Sequence, residues 1–327
     1  MVTSIEKDAS PLTGLYLGRI SQQLTRLEKQ RAITLAHYTS AEVVLEMLKN
    51  QNVWMRNARC MNDFSEVDYP ITIIHKYFSD ANRSKDFRDA CDKCHIGVFE
   101  TVDSLLNGHL PSIYNETYIT CLSEHHRRDD ANGRLSMWRG YGGSKIPAAI
   151  VVRKEATLGE GPYGLSGFPV QYLAENAFFS ELDRRKGIML TNRTSISRRP
   201  PNEFRNSLFG MFQVLIATTK HPGFKEEKEW RLLYLPKLYP SNGLEQHKAQ
   251  QTINGMPQSI YKIPVDGEPI NDGTALTVDS LVERIILGPC TEAGVAIEAI
   301  REQLRSAGHR NPEKAVHFCG IPYREKI

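Results

Sequence analysis

Residues 33–55 read as a strand that runs directly into a capped helix and out into a second strand. A chain that starts this way is committed to mixing helices with sheet. Residues 33–38 are a short apolar segment of strand-forming types. The helix that follows has a legible start, because Thr39 and Glu42 are spaced as a T-x-x-E capping box that can satisfy free N–H groups. Val44, Met47 and Leu48 then form an apolar stripe at helical spacing, and Asn50, Gln51 and Asn52 end it. Val53, Trp54 and Met55 read as the second strand. Polar side chains collect at the joints: His37 and Tyr38 before the helix, Asn62, Asp63 and Glu66 after the strand. A histidine at a strand end beside a helix N-terminus stands where a nucleotide or phosphate could dock. The plainer alternative is an imidazole bonded to nearby backbone.

The same alternation continues. Leu17, Ile20, Leu24 and Leu27 fall at helical spacing, so residues 1–32 are expected to be an N-terminal helical extension. Residues 33–327 show no internal repeat and no long linker, and are expected to be a single α+β domain. A helix is predicted over 84–107, where Phe87, Cys91, Cys94, Val98, Val102 and Leu105 recur every three or four residues. That stripe decides the C-x-x-C-H motif at Cys91 to His95: both cysteines lie on the apolar face and read as core, not as haem or zinc ligands. No metal site is expected.

Residues 118–123 and 148–152 read as strands, with Trp138 and Tyr141 one helical turn apart between them. The run 191–203 is polar enough to be an exposed, mobile loop, with Arg193, Arg198 and Arg199 available to phosphate. Phe204, Leu208, Met211, Leu215 and Ile216 mark another helix. The segment HPGFKEEKEWRLLYLP contains a strand from Glu229 onward. If that strand begins early enough, Glu227, Glu229 and Arg231 share the face opposite Trp230, Leu232 and Tyr234. Carboxylates held against a core are costly unless paired or functional, and Arg231 is the obvious pairing partner. Further strands over 282–287 and 315–319 flank a helix over 291–306.

The net charge of +3 permits a nucleic-acid partner without arguing for one. No apolar run reaches membrane-spanning length, so no membrane partner is expected. The N-terminal residues lack the basic and apolar regions of a secretion signal, so a cytoplasmic location with reduced cysteines is expected.

The ordered set His37-Tyr38-Thr39, Asn62-Asp63-x-x-Glu66, Cys121-x-Ser123-Glu124, Trp138-x-x-Tyr141, Glu227-x-Glu229-Trp230-Arg231 and Ile286-Leu287-Gly288-Pro289 resembles a large bacterial family catalogued as a domain of unknown function. Its opening is also similar to the first motif of the DNA-modifying ADP-ribosyltransferase toxins. That resemblance implies an ADP-ribosyltransferase-like fold with a split mixed β-sheet flanked by helices, and NAD as the substrate. His37 would take the first role around the nicotinamide end of NAD, Ser123 the second, and Glu229 or Glu227 the third. The second strand reads Thr120-Cys121-Leu122-Ser123 where that family has Ser-Thr-Ser. Tyr38, Thr39, Asn62, Asp63, Trp138 and Tyr141 complete the implied NAD site, and an aromatic such as Tyr38 or Tyr141 could stack on the nicotinamide. Glu229 is assigned charge stabilisation and Glu227 the acceptor, which would be nucleic acid or protein in a toxin or phage-defence setting. On this reading His37 and Glu229 face one cleft. The alternatives are a non-catalytic nucleotide- or partner-binding domain and, on the E-x-K of Glu226 and Lys228, a Mg-dependent nuclease.

Overall fold

The computed structural model describes residues 10–30, 32–61, 67–141, 145–153, 156, 165–239, 243–253, 255–269 and 275–322. The chain begins with α1 (Pro11–Leu17) and α2 (Ile20–Lys29), then β1 (Ile33–Ser40), α3 (Ala41–Lys49) and β2 (Asn52–Asn57). Three helices follow, α4 (Asp68–Ser79), α5 (Ala81–Asp92) and α6 (Val98–Asn115), before the central strand β3 (Tyr118–His126). Next come α7 (Leu135–Tyr141), β4 (Pro147–Val152), β5 (Ser166–Pro169) and β6 (Gln171–Tyr172). A second helical group, α8 (Glu175–Thr191), α9 (Arg193–Ser197) and α10 (Pro201–Thr218), leads into β7 (Thr219–Lys220) and β8 (Glu229–Tyr234). The remainder is β9 (Lys248–Ile253), β10 (Met256–Pro264), α11 (Val278–Leu281), β11 (Val282–Leu287), α12 (Ala293–Ser306), α13 (Pro312–Ala315) and β12 (Val316–Phe318).

This is a mixed α+β domain, its sheet flanked by helices. The main sheet runs β12-β11-β4-β1-β3-β2-β10-β9, with β8 joining β3 to β5. Among the described residues only β11 and β12 pair in parallel within it. Its centre is forked. β1 pairs with the far end of β3, from Ile33↔His126 to Ala36↔Ser123, while β2 pairs with the near end, at Arg56↔Ile119 and Asn57↔Tyr118. β8 runs along β3 from Tyr118↔Tyr234 to Ser123↔Glu229.

Where the strands part, side chains close the gap. The His37 Nδ1 lies 2.8 Å from the Cys121 carbonyl, and the Thr120 hydroxyl donates to the Trp54 carbonyl at 2.8 Å. A carbonyl can only accept, so Nδ1 carries the proton.

Several expectations are corrected. The cap of α3 is Ser40, whose hydroxyl accepts from the Val43 N–H at 3.4 Å, and Thr39 is still in β1. The helix expected over 84–107 is two helices, separated at Gly97 with φ of 74°. Residues 193–197, expected in a mobile loop, form a short helix that buries Ile196, and Arg199 pairs with Glu203 at 3.2 Å. α8, β9 and β10 had no counterpart in the sequence reading.

The N-terminal helices are an integral layer. Leu15, Ile20 and Leu27 are fully buried in the main core. Arg185, also fully buried, donates to the Leu15 and Tyr16 carbonyls at 2.9 and 3.0 Å and pairs with Glu181 at 3.1 Å. Cys91 and Cys94 are core residues packed beside Met189, as their spacing implied. Among the described residues no helix is long and apolar enough to cross a membrane.

Candidate functional site

Strand parity sorts the candidate residues onto two faces. Successive side chains of a strand alternate, and residues in register across an antiparallel pair share a face. Ala36 is in register with Ser123, and Ser123 with Glu229. Tyr38 shares the face of Ala36, and both belong to the cluster of Met137, Trp138, Ala149 and Val151. His37, between them, faces the other way. It is paired with Ile150, which belongs to the main core. The common cleft expected for His37 and Glu229 is therefore not formed: the alternation within H-Y-T puts the histidine on the wrong side of the sheet.

The carboxylates gather around a residue that motif reading missed. β6 and β7 form a short parallel pair that sets Tyr172 beside Lys220. The Lys220 ammonium lies 2.7 Å from Glu227 Oε2 and 3.0 Å from Glu229 Oε2. Glu229 Oε1 accepts from Arg231 Nε at 2.8 Å, and Arg231 Nη1 donates to the Ala217 carbonyl at 2.8 Å. The Glu229 N–H donates to the Tyr172 hydroxyl at 2.8 Å. Glu229, Lys220 and Arg231 are all almost fully buried, so this is a charge cluster taken out of water and held by mutual pairing. The expected pairing of Arg231 with Glu229 is present.

Glu227 differs. It ends the 3₁₀ turn Pro222–Glu227 and is joined to β8 by Lys228, a non-glycine residue with φ of 46°. That uncommon conformation turns the chain sharply between the two glutamates. The turn is pinned from outside. Ser123 Oγ donates to the Glu227 carbonyl at 2.6 Å, and Arg134 Nη1 and Nη2 donate to the Glu226 and Glu227 carbonyls at 2.6 and 3.0 Å. The Glu227 side chain is 17% exposed, against 2% for Glu229. Its Oε1 lies 3.4 Å from the Tyr141 hydroxyl.

The electrostatics follow. Burial alone would raise the Glu229 carboxyl, but Arg231 and Lys220 outweigh it and lower the pKa to about 2. Burial raises Glu227; the Glu229 carboxylate adds to this and Lys220 opposes it. Burial also raises the Tyr141 and Tyr172 phenols, so both are protonated donors. Burial lowers His37, with Arg56 nearby adding to the effect, so its imidazole is neutral.

Of the remaining expected site residues, Tyr38 and Trp138 pack edge to face at 4.8 Å between ring centres. The Trp138 Nε1 donates to the Asn132 carbonyl, and Tyr38 Oη accepts from the Arg134 N–H. Both are buried, so they support α7 and are not placed to stack on a ligand. Thr39 lies on the His37 face of β1, in register with Ala148. Asn62, Asp63 and Glu66 lie outside the described residues. Lys220, Arg134 and Tyr172 are the parts that sequence reasoning missed. The available signal was Lys220 itself, a lone cation closing the apolar run of α10, which must find a carboxylate if buried. Among the described residues no three His, Cys, Asp or Glu side chains are gathered as a metal site would require.

A cavity of about 100 Å³ lies on the His37 face and not beside the carboxylates. It is lined almost wholly by apolar side chains.

Residues 137–232 match the family described as "Protein of unknown function (DUF2971)". The match spans α7 to β8 and so includes Tyr141, Lys220, Glu227, Glu229 and Arg231. No curated protein and no solved structure matches the chain.

Proposed function

We propose that the chain is an ADP-ribosyltransferase-like enzyme using NAD, with Glu227 as the carboxylate that meets the substrate. One observation carries this reading. Glu227 is the part-exposed member of the pair, with one oxygen 2.7 Å from Lys220 and the other 3.4 Å from the Tyr141 hydroxyl. A carboxylate so placed can support the positive charge that develops on the ribose as nicotinamide departs. With its pKa raised, it can also take the acceptor's proton. In that step the ribose–nicotinamide bond breaks and nicotinamide leaves with the bonding pair. The acceptor, a nucleic acid or protein nucleophile, bonds to the ribose carbon and gives its proton to Glu227.

Glu229 then acts as a positioning residue. Both its oxygens are engaged, and it holds Lys220 where Lys220 holds Glu227. This moves charge stabilisation, assigned to Glu229 from the sequence, to Glu227, which keeps the acceptor. A second reading, a nucleotide binder without turnover, is favoured by the same saturation of Glu229.

Purified protein incubated with NAD in chelator, alongside RNA, DNA and lysate proteins, tests both readings. The expected result is nicotinamide release and label transfer, reduced about a hundredfold or more in Glu227→Gln, with melting temperature nearly unchanged. NAD binding without release would establish the binder. No release, no transfer and no binding would overturn both.

A further inference from the structure

We infer that the cavity on the His37 face is a binding site for a small uncharged ring bearing one hydrogen-bond donor, of the phenol class. Strands from both sides of the fork line it, with Leu122, Ile150, Trp230, Leu232 and Ile263 among its walls. At about 100 Å³ it is of the same order as the roughly 150 Å³ engineered cavity that stays dry and admits benzene. Its size and walls select a single apolar ring, and exclude a nucleotide or a long acyl chain.

The donor requirement comes from His37. The other polar side chains of the wall are already used: Thr120 on the Trp54 carbonyl, Asn52 on Trp54 Nε1 and the Asn50 carbonyl, and Arg231 on Glu229 and the Ala217 carbonyl. The His37 Nδ1–H is spent on the Cys121 carbonyl. Among the described residues none is recorded bonding Nε2, which on that tautomer is a hydrogen-bond acceptor. A hydroxyl or N–H on the ring would satisfy it.

Arg231 touches both sites, lining the cavity and holding Glu229. The guanidinium itself is held on the Glu229 face, and the binding proposal stands without any assumption about the reaction.

Phenol and toluene are the probes, titrated into wild-type protein with methyl-labelled Ile, Leu, Val and Met and followed by NMR. Saturable shifts at the Ile150 and Leu122 methyls are expected with phenol. Toluene, which cannot donate, should bind about tenfold more weakly, the factor for one neutral hydrogen bond. Leu122→Phe fills the space and should abolish the phenol response while leaving the far-ultraviolet circular dichroism unchanged. Should that variant not fold, the phenol–toluene contrast in the wild type decides alone. An unsaturable drift, equal binding of the two probes, or an undiminished response in folded Leu122→Phe overturns the inference.

Discussion

Glu229→Gln should cost stability before it costs anything else. In the fold Glu229 is lowered from 4.5 to about 2 by Arg231 and Lys220, working against burial. The difference of about 2.5 pH units, at about 1.4 kcal/mol each, is roughly 3 kcal/mol. The side chain is only 2% exposed, so solvent screening takes little from this. Breaking a buried ion pair by removing one partner gives a similar figure, about 3–5 kcal/mol.

The sign of the pH dependence is fixed. A depressed carboxyl contributes its full stability above its unfolded value and loses it as the pH falls through the folded one. The stability gap between wild type and Glu229→Gln should therefore be about 3 kcal/mol at neutral pH. It should shrink by roughly 2 kcal/mol by pH 3, where most of the unfolded-state carboxyl is already protonated. Urea denaturation of both proteins at the two pH values measures this, and taking the difference between proteins cancels the other acid-titrating groups. A gap below about 1 kcal/mol at neutral pH, or one that does not narrow in acid, would refute the assignment of Glu229 as a buried, charge-paired anchor.

Two further perturbations follow from the site. Lys220→Met removes the cation shared by the two glutamates, so Glu227 should be driven higher; the acid limb of any turnover profile should move alkaline by about one unit or more. An unmoved limb would separate Lys220 from the working carboxylate. Gly133→Ala meets both a φ of +65° and a clash of the added Cβ with the Trp138 ring. It should cost about 2–4 kcal/mol and change tryptophan fluorescence, and a neutral thermal melt would contradict the packing described for α7.

Local pattern carried much of this fold. Residues 148–152 read as a buried strand because every one is apolar, and β4 is buried throughout. The E-W-R-L-L-Y run gave β8 and the Glu229–Arg231 pair, but the strand begins too late to include Glu227, which lies in the turn before it. The errors arose where the deciding partner lies far away in sequence. His37, Tyr38 and Thr39 look like one motif, but which of them faces the site depends on pairing with Ser123 and Ala149. Lys220 could be linked to Glu227 and Glu229 only once β6 had placed Tyr172 beside it. β9 escaped because its core-facing positions, Ala249, Gln251 and Ile253, are only partly buried and include a polar residue, so the two-residue period is faint in the sequence. The stripe over 84–107 runs across a break: the first helix ends at Asp92, and left-handed Gly97 caps the start of the next.

The forked centre of the sheet also dictates the order in which the chain can be completed. β3 meets its β1 and β2 partners from sequence already synthesised, yet its other edge stays open until residues 229–234 arrive, over a hundred positions later. Closing so long a loop is slow, and an open central edge is the surface on which unfinished chains associate. The strand that finally covers it begins with Glu229 and follows the turn bearing Glu227. A chain that stops short of β8 thus carries Lys220 and Glu227 but lacks Glu229 and Arg231, the buried pair against which Lys220 is held.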